Sequence, residues 1–367
     1  MAGLAALPST LGQRATAVGL VALATTVVAF AIDRAGASQT LVFVVSAVAL
    51  ACLAMLIGEG TDELGERFGP ATTGILQSAL GNLPELFISI FALQAGLVVV
   101  VQTALIGSIL ANVLLVLGLA FIFGGLRHGT QTFHAPAART LGILLLLAVA
   151  ALAIPTLATA PGAPDAGHDV DLSVIVSIVL LVIFAASIPF SLRNGVGATA
   201  DLDAGTGRPP WPLPLALGVL GVGAVAAALT SDLFVQALTP TMASLGLSEA
   251  FVGLVIVAIA GNAVENVVGI QAAAADKTDL ATSLILNSSL QVAIALTPAL
   301  VLLSLVIGGG ALTLVLSPLL LGAVLLAALL AVVIVFDGES TWLEGLALVG
   351  LYVIIAASVW YGPPIAP

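Results

Sequence analysis

Residues 80–86 read Leu-Gly-Asn-Leu-Pro-Glu-Leu, and residues 260–266 read Ala-Gly-Asn-Ala-Val-Glu-Asn. A gapless shift of 180 lays Gly81 on Gly261, Asn82 on Asn262 and Glu85 on Glu265. The register continues through Ile90/Ile270, Ala92/Ala272, Ala95/Ala275, Ser108/Ser288 and Leu110/Leu290. Chance can match alanines and leucines in so apolar a chain. It does not readily match two Gly-Asn-x-x-Glu runs and a serine at one offset, so the chain reads as two related halves.

Composition sets the solvent. Hydrophobic residues make up 60% of 367 positions and charged residues 7%, against about 25% charged in a soluble domain. Too little polar surface exists to cover a water-soluble globule, and the lipid bilayer is the expected partner, with no nucleic acid. The formal charge of −11 fits a cationic partner, but acidic loops alone would also produce it. Cys52 is the single cysteine, which excludes an intramolecular disulfide and a cysteine metal cluster. His128, His134 and His168 all lie outside the apolar runs, so neither zinc nor haem is expected.

A helix needs about 20 apolar residues to cross a bilayer. That length predicts an all-α polytopic membrane protein with eleven spans: 15–32, 39–57, 70–94, 97–123, 140–160, 172–190, 213–239, 250–275, 280–307, 311–336 and 343–361. The first lacks a clear cleavage site and reads as an uncleaved helix. With the N-terminus inside, Arg14, Arg67, Arg127, Arg139, Arg193, Arg208 and Lys277 fall on the cytoplasmic side and only Arg34 outside. The C-terminus is then outside. The stretch 191–212, rich in Gly, Pro and Asp, reads as a cytoplasmic linker. The expected organisation is an extra N-terminal helix (1–38), a first five-helix repeat (39–190), the linker, and a second five-helix repeat (213–367). Five is odd, so the second repeat enters the membrane inverted, a recurring transporter design.

Glu85 is 15 residues into a span of 25, and Glu265 is 15 into one of 26. Both are expected near the bilayer centre, where an ionised carboxylate costs at least ~3 kcal/mol. One such glutamate could be a structural polar group paired to a neighbouring helix. Two at equivalent positions, with no basic residue in any span core, call for a bound cation or protons. On a helix Ser78, Asn82, Glu85 and Ser89 would share a face, as would Asn262 and Glu265. The next spans add Ser108 with Asn112, and Ser288 with Gln291. All offer oxygen, the ligand type of a hard cation such as calcium, whereas a soft metal favours Cys or His. Pro84 removes a backbone donor. It either frees the Leu80 carbonyl as a further ligand or makes a kink that a neighbour re-satisfies.

These stretches resemble the calcium/cation antiporter superfamily, and within it the cation/proton (Ca2+/H+) exchanger branch. The similarity covers roughly 50–125 and 228–305. It rests on Gly-Glu-Gly-Thr-Asp-Glu-Leu (58–64), Leu-Gly-Asn-Leu-Pro-Glu-Leu (80–86) and Gly-Ser-Ile-Leu-Ala-Asn-Val-Leu-Leu-Val-Leu-Gly (107–118) in the first half. In the second half it rests on 245–254, Gly-Asn-Ala-Val-Glu (261–265) and Ser-Ser-Leu-Gln (288–291). The resemblance implies ten core helices and exchange of cytosolic calcium for protons from the other side by alternating access. Glu85 and Glu265 would bind cation and protons competitively, among Gly81, Asn82, Gly261, Asn262, Ser108, Ser288, Asn112 and Gln291. Calcium and protons would be transported, and no cofactor is implied. The sodium/calcium branch usually carries Thr-Ser where this chain has Gly-Asn, which makes sodium coupling the alternative. Asn266 stands where the proton-exchanging branch usually has His, and Asn287 where it has Gly. Asn cannot titrate, so pH sensing through that His would be absent here.

Glu59, Asp62, Glu63 and Glu66 are expected in the cytoplasmic loop before the first acidic span. They read either as ordinary loop solvation or as a vestibule that concentrates cations. Asp232, expected at the outer end of its span, looks like the repeat counterpart of Glu59. A monovalent-cation/proton exchanger of the same superfamily and a channel remain rival readings, while an enzyme lacks any nucleophile–base pair within a span. The expected location is the cell (inner) membrane of a prokaryote, and the oligomeric state is open to a homo-oligomer.

Overall fold

A computed structural model describes residues 12–68, 80–194 and 211–360. In chain order the helices are α1 (Gln13–Arg34), α2 (Gln39–Phe68), α3 (Leu83–Gln94), α4 (Val98–His128), α5 (Ala135–Ala158) and α6 (Asp169–Asn194). They continue with α7 (Leu213–Leu245), α8 (Glu249–Gly261), α9 (Ala263–Ala274), α10 (Thr278–Ile307), α11 (Pro318–Ile334) and α12 (Trp342–Trp360). Among the described residues, eight helices are long and apolar enough to cross a bilayer. The pair α8/α9, bent by 65° at its break, would make a ninth, and α3 and α11 are apolar but shorter. Large apolar side chains stand on the surface, among them Val306 (80% exposed) and Val222 (70%). In water such a surface would drive association, and in a bilayer lipid solvates it.

One compact unit gathers α1, α2, α7, the first part of α3 and residues 260–264. Here α2 and α7 run antiparallel: Gly60 meets Leu220, Gly223 meets Ile57, and the rings of Phe43 and Phe234 stack at 4.6 Å. A Cβ at Gly60 would lie 3.0 Å from the Leu220 side chain, so glycine permits the close approach there. Helix α7 ends on Gly246, whose φ of +65° is the left-handed stop that glycine supplies.

The second unit holds the rest of the described chain. Its helices also pack backbone to backbone, since a Cβ on Gly107 would come 2.3 Å from the Leu254 carbonyl oxygen. Helices α4, α8 and α10 each contain a π-helical turn, at Ala111–Val116, Val252–Val257 and Val292–Leu296. The first and last of these nearly coincide under the 180-residue shift.

The expected span 311–336 departs from a simple helix. Helix α11 starts only at Pro318, capped by Ser317, and residues 311–317 are irregular, with Leu312, Leu314 and Leu316 buried. Irregular backbone inside a membrane protein must find its partners in protein, and here side chains supply them. Gln102 Nε2 donates to the carbonyls of Thr313 (3.0 Å) and Val315 (2.6 Å). Thr156 Oγ1 donates to the Leu314 carbonyl and accepts from the Leu316 N–H. Ser173 and Ser304 accept from the N–H groups of Leu314 and Leu312. Hydropathy alone reads these residues as helix because it cannot see such side chains arriving from other spans.

Candidate cation site

Neither Gly-Asn-x-x-Glu motif lies within one continuous helix. Gly81 and Asn82 form a turn, α3 begins at Leu83, and Glu85 stands in its first helical turn. Asn262 likewise interrupts the chain between α8 and α9, with Glu265 in the first turn of α9. The expectation of an unbroken face Ser78–Asn82–Glu85–Ser89 is corrected accordingly, and Ser78 lies outside the described residues. Glycine and asparagine are weak helix formers. Pro84, as the second residue of α3, sits where a missing N–H costs nothing, so it starts a helix and does not kink one.

Glu85 is fully buried, with Asn82 9% and Ser89 1% exposed. Gly261 packs against it: a Cβ there would lie 3.2 Å from Glu85 Cβ. Asn262 is also buried, whereas Glu265, Gly81 and Gln291 are half-buried. Ser108, Asn112 and Ser288 are buried in the second unit. Asn112 Nδ2 donates to Ser288 Oγ at 3.1 Å, a link between the two halves of the sequence. Asn112 lies in the π-helical turn Ala111–Val116. Its Oδ1 stays buried with no hydrogen-bond partner, as do Ser89 Oγ and Asn266 Oδ1.

The acidic group after the second span is not in a loop. Helix α2 continues to Phe68 and carries Glu59, Asp62, Glu63 and Glu66 at spacings of three and four, along one face. Glu63 is partly committed elsewhere: its carboxylate accepts the Trp211 N–H at 2.7 Å, and Arg67 donates to the Trp211 carbonyl at 3.3 Å. The Trp211 ring, 1% exposed, packs among Leu53, Ile57, Leu64 and Leu220. Asp232 lies on α7. Helix α7 extends well beyond it to Leu245, and Asp232 accepts from Gln236 Nε2 at 2.9 Å.

A family model described as sodium/calcium exchanger protein matches residues 38–193 and 215–361. The chain belongs to the sodium/calcium exchanger protein family. A Ca(2+)/H(+) antiporter of Synechocystis sp. is 35% identical over 353 residues, 91% of this chain and 94% of that protein. The Ca(2+)/H(+) antiporter ChaA of Bacillus subtilis is 35% identical, covering 87% of this chain and 91% of its own. The solved structure of native YfkE superposes with a TM-score of 0.79 at 31% identity, over 94% of this chain and 99% of that one.

Within this exchanger-family chain, several polar groups escape a reading by motif. The buried Oδ1 of Asn266 and the hydroxyls of Thr278 and Thr282 face no partner, and Gln131 is a buried glutamine outside every motif. A polar residue in a mostly apolar run is the available signal. It marks Asn266, Thr278 and Thr282, but not Gln131, which lies in a polar connection.

Proposed function

We propose that this chain is a secondary antiporter exchanging calcium, or a related divalent cation, for protons by alternating access. The observation that carries the reading is the paired turn: each half has a turn at its Gly-Asn and sets its glutamate in the first turn of the helix that follows. Discontinuous helices whose broken ends face ions are a recurring way to build a transport site. Glu85 and Glu265 are its exchanging carboxylates. Asn82, Asn262, Ser108, Ser288, Asn112 and Gln291 add side-chain oxygens, and the breaks at Gly81 and Gly261 add main-chain ones. The partnerless Asn112 Oδ1 is an acceptor that suits a hard cation. The names of the curated relatives favour calcium and protons as the exchanged pair.

The two halves are inverted five-helix repeats, 39–190 and 213–367, joined by 191–212 and preceded by 1–38. The paired family matches and the paired π-helical turns support that division. The N-terminus is cytoplasmic and the C-terminus outside, following the Lys/Arg asymmetry. The two carboxylates are shared in time: calcium balances both charges, and on its departure protons replace it. The neutral proton-loaded site and the calcium-filled site can both cross the occluded state, and the empty charged site cannot.

Flux in proteoliposomes tests this, with calcium, manganese, sodium and potassium each opposed to a proton gradient. Proton-driven calcium uptake is expected, and Glu85→Gln and Glu265→Gln should each abolish it in folded protein. Glutamine keeps size and hydrogen bonding but not the charge. Normal flux in either variant removes that carboxylate from the site. Calcium flux without any counter-ion would instead make the protein a channel.

A further inference from the structure

Helix α9 carries Glu265 in its first turn and ends at Ala274. Its near end is a break with a 65° bend, so no continuous backbone ladder from α8 fixes its direction. Whatever grips the far end therefore matters for where Glu265 stands. That grip comes from the connection between α4 and α5. Gln131, 2% exposed, donates from Nε2 to the Ala273 carbonyl at 3.1 Å and to Asp276 Oδ1 at 2.8 Å. A Cβ on Gly124 would lie 1.8 Å from Gln131 Oε1, so only glycine leaves room for this amide. Arg127 and His128 reach the Ala274 carbonyl at 3.4 and 3.1 Å. The connection is anchored in turn, with Gln131–Thr132 pairing antiparallel to Glu339–Ser340 and the Asp279 carboxylate accepting the His134 N–H.

Asp276 is the odd member. Among the described residues it alone has a positive φ without being glycine, at +61°, a conformation that disfavours a residue with a Cβ. Its counterpart under the 180-residue shift is Gly96, at φ +75°. A turn that only had to reverse the chain would use glycine, as the first half does. Strained residues persist where their side chain has a task, and the partner of this side chain is Gln131. At the corresponding end of α3 the contact is of another kind. There Gly309 takes the place beside the Leu93 carbonyl, and a Cβ on it would lie 1.8 Å from that oxygen.

We propose that Gln131 and Asp276 are positioning residues for exchange, a clamp on the last turn of α9 that sets the placement of Glu265. The proposal rests on the reading of Glu265 as an exchanging carboxylate. The rod is three turns long and hinged at Asn262, so loosening its clamped end lets the carboxylate wander from the cation. Calcium binding should weaken while turnover at saturation changes less.

The test uses full-length protein in proteoliposomes, measuring half-saturation for calcium, maximal rate and melting temperature. Asp276→Gly relieves the backbone and deletes the acceptor. Its melting temperature should match or exceed the wild type, while calcium half-saturation rises at least fivefold and maximal rate stays within twofold. Asp276→Asn keeps an acceptor oxygen and tolerates the left-handed backbone, so it should restore half-saturation to within twofold. Gln131→Met should reproduce the Asp276→Gly defect, and the double variant should be no worse than either single one. Unchanged half-saturation in Asp276→Gly, a lowered melting temperature there, an Asp276→Asn defect of equal size, or additive defects would each overturn the clamp. A wild type without proton-driven calcium uptake would overturn the reading of the site and the clamp with it.

Discussion

Gly261 ends α8 against Glu85, and replacing it with alanine tests whether that contact belongs to a binding site. The new Cβ would lie 3.2 Å from Glu85 Cβ and 3.4 Å from Cγ, inside the ~3.5–4.0 Å of a relaxed carbon contact. Gly261 is not among the residues with positive φ, so alanine meets no backbone penalty and only Glu85 opposes it. Overpacking of this kind costs about 1–3 kcal/mol. Calcium accepts oxygen ligands only within about 2.3–2.6 Å, so a carboxylate displaced by a few tenths of an ångström loses much of its bond. If the strain falls on binding, ~1.4 kcal/mol per tenfold converts it to a rise of about 5- to 150-fold in calcium half-saturation. The assay is calcium uptake across a calcium series, with melting temperatures in and out of calcium. Gly107→Ala is the control, since its Cβ would meet the Leu254 backbone at 2.3 Å and should lower melting temperature with or without calcium. Wild-type half-saturation together with wild-type stabilisation by calcium in Gly261→Ala would refute the reasoning.

Three other outcomes are expected. Neutralising Glu59, Asp62 and Glu66 together should raise calcium half-saturation with little change in maximal rate, and the defect should shrink with salt, because screening acts over about 8–10 Å near physiological ionic strength; a salt-independent defect would point to gating. Trp211→Ala should lower stability by about 3–5 kcal/mol, the usual loss for a buried Trp or Phe, and Glu63→Gln by much less, both read by thermal unfolding in detergent. Calcium binding should release up to two protons, seen by calorimetry in buffers of differing ionisation enthalpy, with affinity falling as pH drops because protons then hold the carboxylates; no release between pH 6 and 8 would remove the competition and reopen sodium coupling.

The two glutamates are legible from sequence because an offset of 180 aligns scarce residues, and scarcity gives a match its weight. Membrane helices are legible because hydropathy is a local sum over about 20 residues. The turns at 81–82 and 262 do not follow from composition alone. Glycine, asparagine and proline lower helix propensity, but neighbouring helices often tolerate them, so only packing decides whether such a run bends or snaps. The end of α2 at Phe68 is masked in sequence for the opposite reason. Charge after an apolar run reads as a loop, yet Glu59, Asp62, Glu63 and Glu66 keep helical spacing, and that periodicity was available.

What stayed hidden is the set of contacts between distant spans. Gln102 serves carbonyls more than 200 positions away, and no local pattern encodes that. The same offset that exposed the repeat nonetheless carries a further signal in its mismatches. Where halves descend from one plan, a position such as Gly96/Asp276 departs from it only under some local demand. The demand becomes visible once the backbone is known to be left-handed on both sides. A glycine there answers the geometry alone, whereas an aspartate answers it at a cost, and the cost has to be offset by what its carboxylate holds.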